Sequence, residues 1–103
     1  MADLRLVRPE SAKARWRRED LTLPLGYFAL YRTWDAAGAL LYVGITGDPI
    51  ERWRRHAQKK PWWRRVDRIT CELFPKEHLA LNAERAAIRA ERPKFNIRSA
   101  APA

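Results

Sequence analysis

The chain predicts an α+β fold: a small three-stranded antiparallel sheet flanked by helices in ββαβα order, with an extra basic helix at its N-terminus. Three observations carry this. Two apolar runs, Gly26 to Arg32 and Ala39 to Ile45, flank the turn-forming Asp35-Ala36-Ala37-Gly38. A helix with strong start signals follows at Asp48-Pro49-Ile50-Glu51. A third alternating run from Val66 to Phe74 then leads into a long helical segment that Pro93 ends.

The chain has 103 residues, enough for one domain with one modest core. Its 47% hydrophobic content and 11% aromatic content exclude a disordered chain. Twenty-one Lys and Arg against twelve Asp and Glu leave a formal charge of +9, which favours a polyanionic partner. Arg outnumbers Lys sixteen to five, and guanidinium forks suit bidentate phosphate contacts. A single cysteine, Cys71, excludes an intrachain disulfide and fits a reducing compartment. With no signal-like or membrane-spanning run, a soluble cytoplasmic protein is expected.

Residues 1–25 read as a basic helical extension and connector, 26–97 as the domain, and 98–103 as a loose end. In the extension, Ser11 is positioned to cap a short helix running to Asp20, anchored only by Ala and Trp16. This helix is expected to add affinity for a polyanion rather than specificity. Gly26 to Arg32 and Ala39 to Ile45 form a hairpin. Centring it between Ala36 and Ala37 sets Tyr31 directly opposite Tyr42; an odd-length loop or a bulge would make the pair diagonal and still close.

In the first helix, Asp48 is the N-cap, Pro49 the first helical residue, and Glu51 is placed to close a capping box. The helix runs to about Lys59, with Ile50, Trp53 and Ala57 as its core stripe. Arg52 and His56 then lie together at the border of that stripe, roughly 40° apart around the axis. Arg54, Arg55, Lys59 and Lys60 fan outward, and Arg64, Arg65 and Arg68 form a second basic group. Trp62 and Trp63 read as packing aromatics in a short turn rather than as base-stacking platforms.

The second helix, Lys76 to about Arg92, carries Ala80, Leu81, Ala83, Ala87 and Ile88 as its apolar stripe. Glu84 falls in the middle of that stripe, where a carboxylate is costly unless it is paired or bound to a cation. Glu77 and Glu91 lie on the same face near the helix ends, within reach of water. Two phenols, a guanidinium and an imidazole around one spot can handle a phosphate. A lone carboxylate beside them makes a metal-dependent nuclease site.

On these residues the chain resembles the GIY-YIG nuclease family. The two signature tripeptides correspond to Ala29-Leu30-Tyr31 and Tyr42-Val43-Gly44. The family's arginine matches Arg52, its tyrosine or histidine one turn later matches His56, its metal-binding glutamate matches Glu84, and its closing asparagine matches Asn96. The resemblance runs from about Gly26 to Ile97. Ala29 and Leu30 depart from the signature Gly and Ile, a mild change between small apolar strand residues. No second DNA-binding domain is read in this chain, which leaves the target open.

The resemblance implies a DNA endonuclease leaving 3′-hydroxyl and 5′-phosphate ends. Tyr31 would activate the water, Tyr42 position water or phosphate, and Arg52 neutralise charge developing on the phosphoryl oxygens. His56 would contact phosphate or share base duty, and Gly44 and Asn96 would support the site structurally. Glu84 would hold one Mg²⁺ or Mn²⁺, because a single carboxylate with waters suits such an ion. Cys71, His56 and His78 lack zinc-ligand spacing. Arg54, Arg55, Lys59, Lys60, Arg64 and Arg65 would contact the DNA backbone, branched and damaged DNA being among the candidate substrates. The alternatives are a DNA- or RNA-binding module that keeps the scaffold without chemistry, and a ribosome-associated basic protein. Oligomeric state is left open.

Overall fold

The structure is a computed structural model that describes the backbone of Asp3–Val7 and residues 22–96. Its elements run β1 (Asp3–Val7), β2 (Phe28–Trp34), β3 (Leu40–Thr46), α1 (Pro49–Lys59), a 3-10 turn (Pro61–Arg65), β4 (Arg68–Phe74) and α2 (Glu77–Glu91). The sheet is antiparallel throughout, in the order β1-β4-β2-β3. The three strands and two helices expected from the sequence are all present. The fourth strand was not foreseen. β1 pairs along β4 from Asp3↔Glu72 to Val7↔Arg68, so part of the N-terminal extension completes the sheet. Leu4 and Leu6 alternate with Arg5 over too few residues to stand out as a strand. The basic helix expected between Ser11 and Asp20 lies outside the described residues.

Side chains alternate across β2, and each face of the sheet has its own core. Ala29 and Tyr31 pack with Leu41, Ile50, Trp53, Trp62, Val66, Ile69 and Cys71 beneath α1 and the 3-10 turn. Leu30 packs with Val43 and Ala87 on the other face, joined by the partly buried Ala83 and Ile88 of α2. Burial pushes the Cys71 thiol up to about 12, so this free cysteine sits as an inert apolar residue.

Asp35 makes the hairpin. Its Oδ1 accepts from the backbone N–H of Ala37 at 3.0 Å and of Ala39 at 2.8 Å. Gly38 takes the left-handed conformation at φ 89° that the turn requires. The register differs from the symmetric one: Tyr31 pairs with Gly44 and Thr33 with Tyr42. A shift between Thr33 and Trp34, which pairs with Leu40, makes Leu41 the extra residue of a bulge. Leu41 thereby turns into the α1-side core. The two tyrosines are diagonal neighbours rather than direct opposites.

Asp48 caps α1 by accepting from Glu51 N at 3.3 Å, with Pro49 in the first turn. The reciprocal half of the capping box is not made. Asp48 N donates to Thr46 Oγ1 at 3.0 Å, while Glu51 pairs with Arg54 at 3.1 Å and Arg55 at 3.9 Å. The buried stripe of α1 is Pro49, Ile50, Trp53 and His56, and Ala57 is exposed, contrary to the periodicity reading. The cause is the 3-10 turn, whose Trp62 and Trp63 lie against the His56 side of the last turn.

α2 ends at Arg92, which adopts φ 51° and donates its N–H to Ile88 O at 3.0 Å. The chain then runs beside β3: Lys94 N donates to Leu40 O at 3.1 Å and Phe95 N to Leu41 O at 2.7 Å. Among the described residues no helix is long and apolar enough to cross a membrane.

Candidate active site

Tyr31 is the centre of the site and is fully buried. Its hydroxyl lies 2.7 Å from His56 Nε2 and accepts from Arg52 Nε at 3.4 Å. Burial pulls His56 from its usual 6.5 down to about 4, helped by the nearby charges of Arg52 and Lys60. The imidazole is therefore neutral at pH 7. With Arg52 donating to the phenol oxygen, the arrangement that satisfies all three groups directs the phenol proton at Nε2 of His56. Burial also holds the Tyr31 proton more firmly than in a free phenol. The Arg52 hydrogen bond and charge oppose that, and Tyr42 and Glu84 reinforce it. The Tyr31 contact in turn keeps the Arg52 guanidinium protonated despite its partial burial.

Gly44 makes room for this geometry. A Cβ built there would lie 2.6 Å from the Tyr31 hydroxyl oxygen, 2.8 Å from its Cζ and 2.9 Å from Tyr42 Cε2. The Tyr31 ring cannot yield easily, because Trp53, Tyr42 and His56 enclose it with ring centroids at 5.9, 6.1 and 6.0 Å. Only glycine leaves both tyrosines in place.

Asn96 acts on the backbone behind them. Its Oδ1 accepts from Val43 N at 2.8 Å and its Nδ2 donates to Val43 O at 2.9 Å, so one buried amide takes the place of a neighbouring strand. That fixes the residue between Tyr42 and Gly44.

Glu84 is half-buried on α2. Burial raises its carboxyl above the usual 4.5, and the positive charges of Arg52 and Arg85 act against the rise. Its own charge reaches Tyr31. No ion pair or hydrogen bond engages it among the described residues. Glu91, two turns further along, is by contrast held by Arg32 Nε and Nη2 at 2.8 Å each. Tyr31, Tyr42, Arg52 and His56 are thus in contact, with Glu84 electrostatically within reach.

The basic residues expected to meet a phosphate backbone are less uniform. Arg54 and Arg55 are exposed but share Glu51. Lys59 is exposed and Lys60 only half so. Arg64 is exposed, whereas Arg65 reaches Asp35 at 3.6 Å and lies 5.5 Å over the Phe95 ring. Arg68 is spent on Trp34, 4.8 Å from its ring centroid.

The family model for the GIY-YIG catalytic domain matches residues 27–96. The chain belongs to the GIY-YIG family. This is a family of nucleases that act on DNA, and the match spans β2 to Asn96, the part of the fold that holds the tyrosines, Arg52, His56 and Glu84. No curated protein and no solved structure matches the chain. Within this GIY-YIG domain the sequence reading missed the Tyr31–His56 hydrogen bond and the aromatic surround of His56. The adjacency of Trp62 and Trp63 to the end of α1 was the available signal.

Proposed function

We propose that the protein is a metal-dependent endonuclease hydrolysing phosphodiester bonds of DNA to 3′-hydroxyl and 5′-phosphate ends. The observation that carries the reading is the linked set Tyr31, His56 and Arg52 with a carboxylate, Glu84, that no described residue pairs and that lies close enough to feel Arg52. A purely structural hairpin needs neither a guanidinium on a buried phenol nor a half-buried acid that no described residue pairs.

A divalent cation fits the donor set. Among the described residues nothing pairs with Glu84, a single oxygen ligand, and no group of three or more His, Cys, Asp or Glu gathers. That favours one hydrated Mg²⁺ or Mn²⁺ over a protein-caged metal. When bound, the ion would supply charge neutralisation for the phosphoryl oxygens and the leaving oxygen.

The chain's own groups do the rest. Neutral His56 takes the Tyr31 proton as the phenol oxygen takes one from water, so no free phenolate has to persist in a buried site. Water reaching that oxygen passes the two partly exposed neighbours of Tyr31, namely Tyr42 and Arg52. Tyr42 orients the water or phosphate, and Arg52 stabilises charge building on the phosphoryl oxygens. Arg54, Arg55, Lys59, Lys60 and Arg64 hold the strand by its backbone, Arg65 in a lesser part, and the unpaired Cys71 suits a cytoplasmic setting.

Cleavage of supercoiled plasmid and branched DNA in Mg²⁺ or Mn²⁺ tests this. Glu84→Ala, Arg52→Ala and Tyr31→Phe are expected to stop cutting while remaining folded. Salt-sensitive DNA binding with no nicking by the parent protein would instead favour a binding module without chemistry.

A further inference from the structure

We propose that Trp62 is a positioning residue that sets the ring orientations of Tyr42 and His56, which strand and helix geometry alone leave free. This rests on the nuclease reading above. Trp62 lies in the 3-10 turn that begins directly after α1, and Lys60 N donates to His56 O at 2.7 Å, fixing the turn to the helix end. Its indole stacks on Tyr42 with centroids 5.0 Å apart and planes 22° apart. Its own ring is backed by Phe95 at 5.8 Å and 11°. His56 is 5.3 Å from Trp62 and also stacks on Trp63, 6.0 Å away at 25°.

Backbone structure fixes where Cα and Cβ sit, but an aromatic ring still chooses among rotamers. A near-parallel ring at contact distance removes that choice for Tyr42, and the two indoles do so for His56. The Phe95 backbone is held by its N–H bond to Leu41 O at 2.7 Å and its ring is covered by Arg65 at 5.5 Å, so the three-ring stack joins the C-terminal segment to the site. A residue present only to fill the core would have no reason to lie parallel to both a site tyrosine and this anchor. Trp62 touches rings that act, not the reacting phosphate.

The test compares full-length Trp62→Leu, Trp62→Phe and Phe95→Leu with the parent. It uses steady-state cleavage of a duplex DNA with Mg²⁺ and the NMR resonance of the His56 ring Cε1–H. His78 is the only other histidine, so assignment needs one variant. Small misplacements of reacting groups are costly, so Trp62→Leu is expected to lower kcat by about tenfold or more while KM stays within about twofold. Trp62→Phe, which keeps a ring in the stack, restores most of kcat and returns the His56 resonance towards its parental position. Phe95→Leu, which leaves Trp62 in place, lowers kcat less and in the same direction. Should Trp62→Leu fail to fold, the Phe95→Leu result decides. An unmoved His56 resonance, a parental kcat in folded Trp62→Leu, or a change confined to KM overturns the proposal. The last would make Trp62 a substrate contact. If the parent does not cut DNA, the nuclease reading falls, and the His56 resonance alone judges whether Trp62 orients the ring.

Discussion

Neighbouring residues of β2 serve opposite faces of the sheet in opposite ways. Arg32 points to the α2 face and is saturated, with two bonds of 2.8 Å to Glu91 and Glu72 at 3.7 Å. Tyr31 points to the α1 face, where Arg52 touches it at 3.4 Å and engages no carboxylate in an ion pair among the described residues. The carboxylates of α2 repeat the contrast: Arg32 holds the Glu91 carboxyl below its usual range, whereas burial raises that of Glu84. Where an acid serves the fold, the fold neutralises it. An acid and a guanidinium kept near each other but unjoined are available to something else.

The largest expected effect separates the two arginines. Arg52→Ala should cost about 2.7–4 kcal/mol of transition-state stabilisation, a rate loss of about 10²–10³. Single-turnover cleavage by protein of unchanged melting temperature measures it. If Arg32→Ala lost as much rate, the contrast between the faces would be void.

Gly44→Ala attacks the crowded side directly. Forcing a methyl against enclosed rings should destabilise the fold by about 1–3 kcal/mol and abolish cutting by displacing Tyr31. Urea titration and cleavage report the two losses separately. Asn96→Ala leaves Val43 N–H and C=O without their partner, at a cost of about 1–3 kcal/mol. Its cleavage rate should fall less than that of Gly44→Ala, since the rings still fit.

His56 gives the site a pH signature in a window above the one in which the depressed Glu91 carboxyl acts on the Arg32 side. Its pKa is about 4 in the fold and about 6.5 unfolded, so the unfolded chain binds more protons between those values. Stability therefore rises with pH across that window, and falls as acid is added from 6.5 towards 4. Denaturant midpoints from pH 4 to 7 measure the slope, which His56→Gln should flatten. The smallest effect is expected from Arg32→Ala, about 0.2–1 kcal/mol for a partly exposed ion pair with no change in cleavage per folded molecule.

Much of this was legible in the chain. The turn residues at Asp35 to Gly38, the Asp48-Pro49 helix start and Pro93 each impose a local geometry that nearby residues cannot override, so the elements they bound emerge correctly. Arg52 and His56 share a helix face by periodicity alone, though the bond between His56 and Tyr31 appears only in the fold. What escaped depends on contacts distant in sequence. β1 is a strand because β4 offers an edge. Ala57 is exposed and His56 buried because a 3-10 turn folds over one side of α1. The partner of Tyr31 moved by two residues, from Tyr42 to Gly44, one of them through the Leu41 bulge, and a two-strand pattern cannot choose between that and the symmetric pairing. Glu84 is the instructive case: its place in an apolar stripe flagged it, but only the fold reveals that Arg32 goes to Glu91 instead.

The amide of Asn96, with the two backbone bonds just before it, also has a bearing on solubility. Unsatisfied strand margins recruit other chains, and β3 would otherwise present such a margin beside a run as apolar as Leu40-Leu41-Tyr42-Val43. Because Lys94, Phe95 and Asn96 occupy its hydrogen-bonding groups from Leu40 to Val43, that border is closed to intermolecular sheet growth. One side chain and two backbone bonds thus cap the β3 margin of a strongly cationic protein.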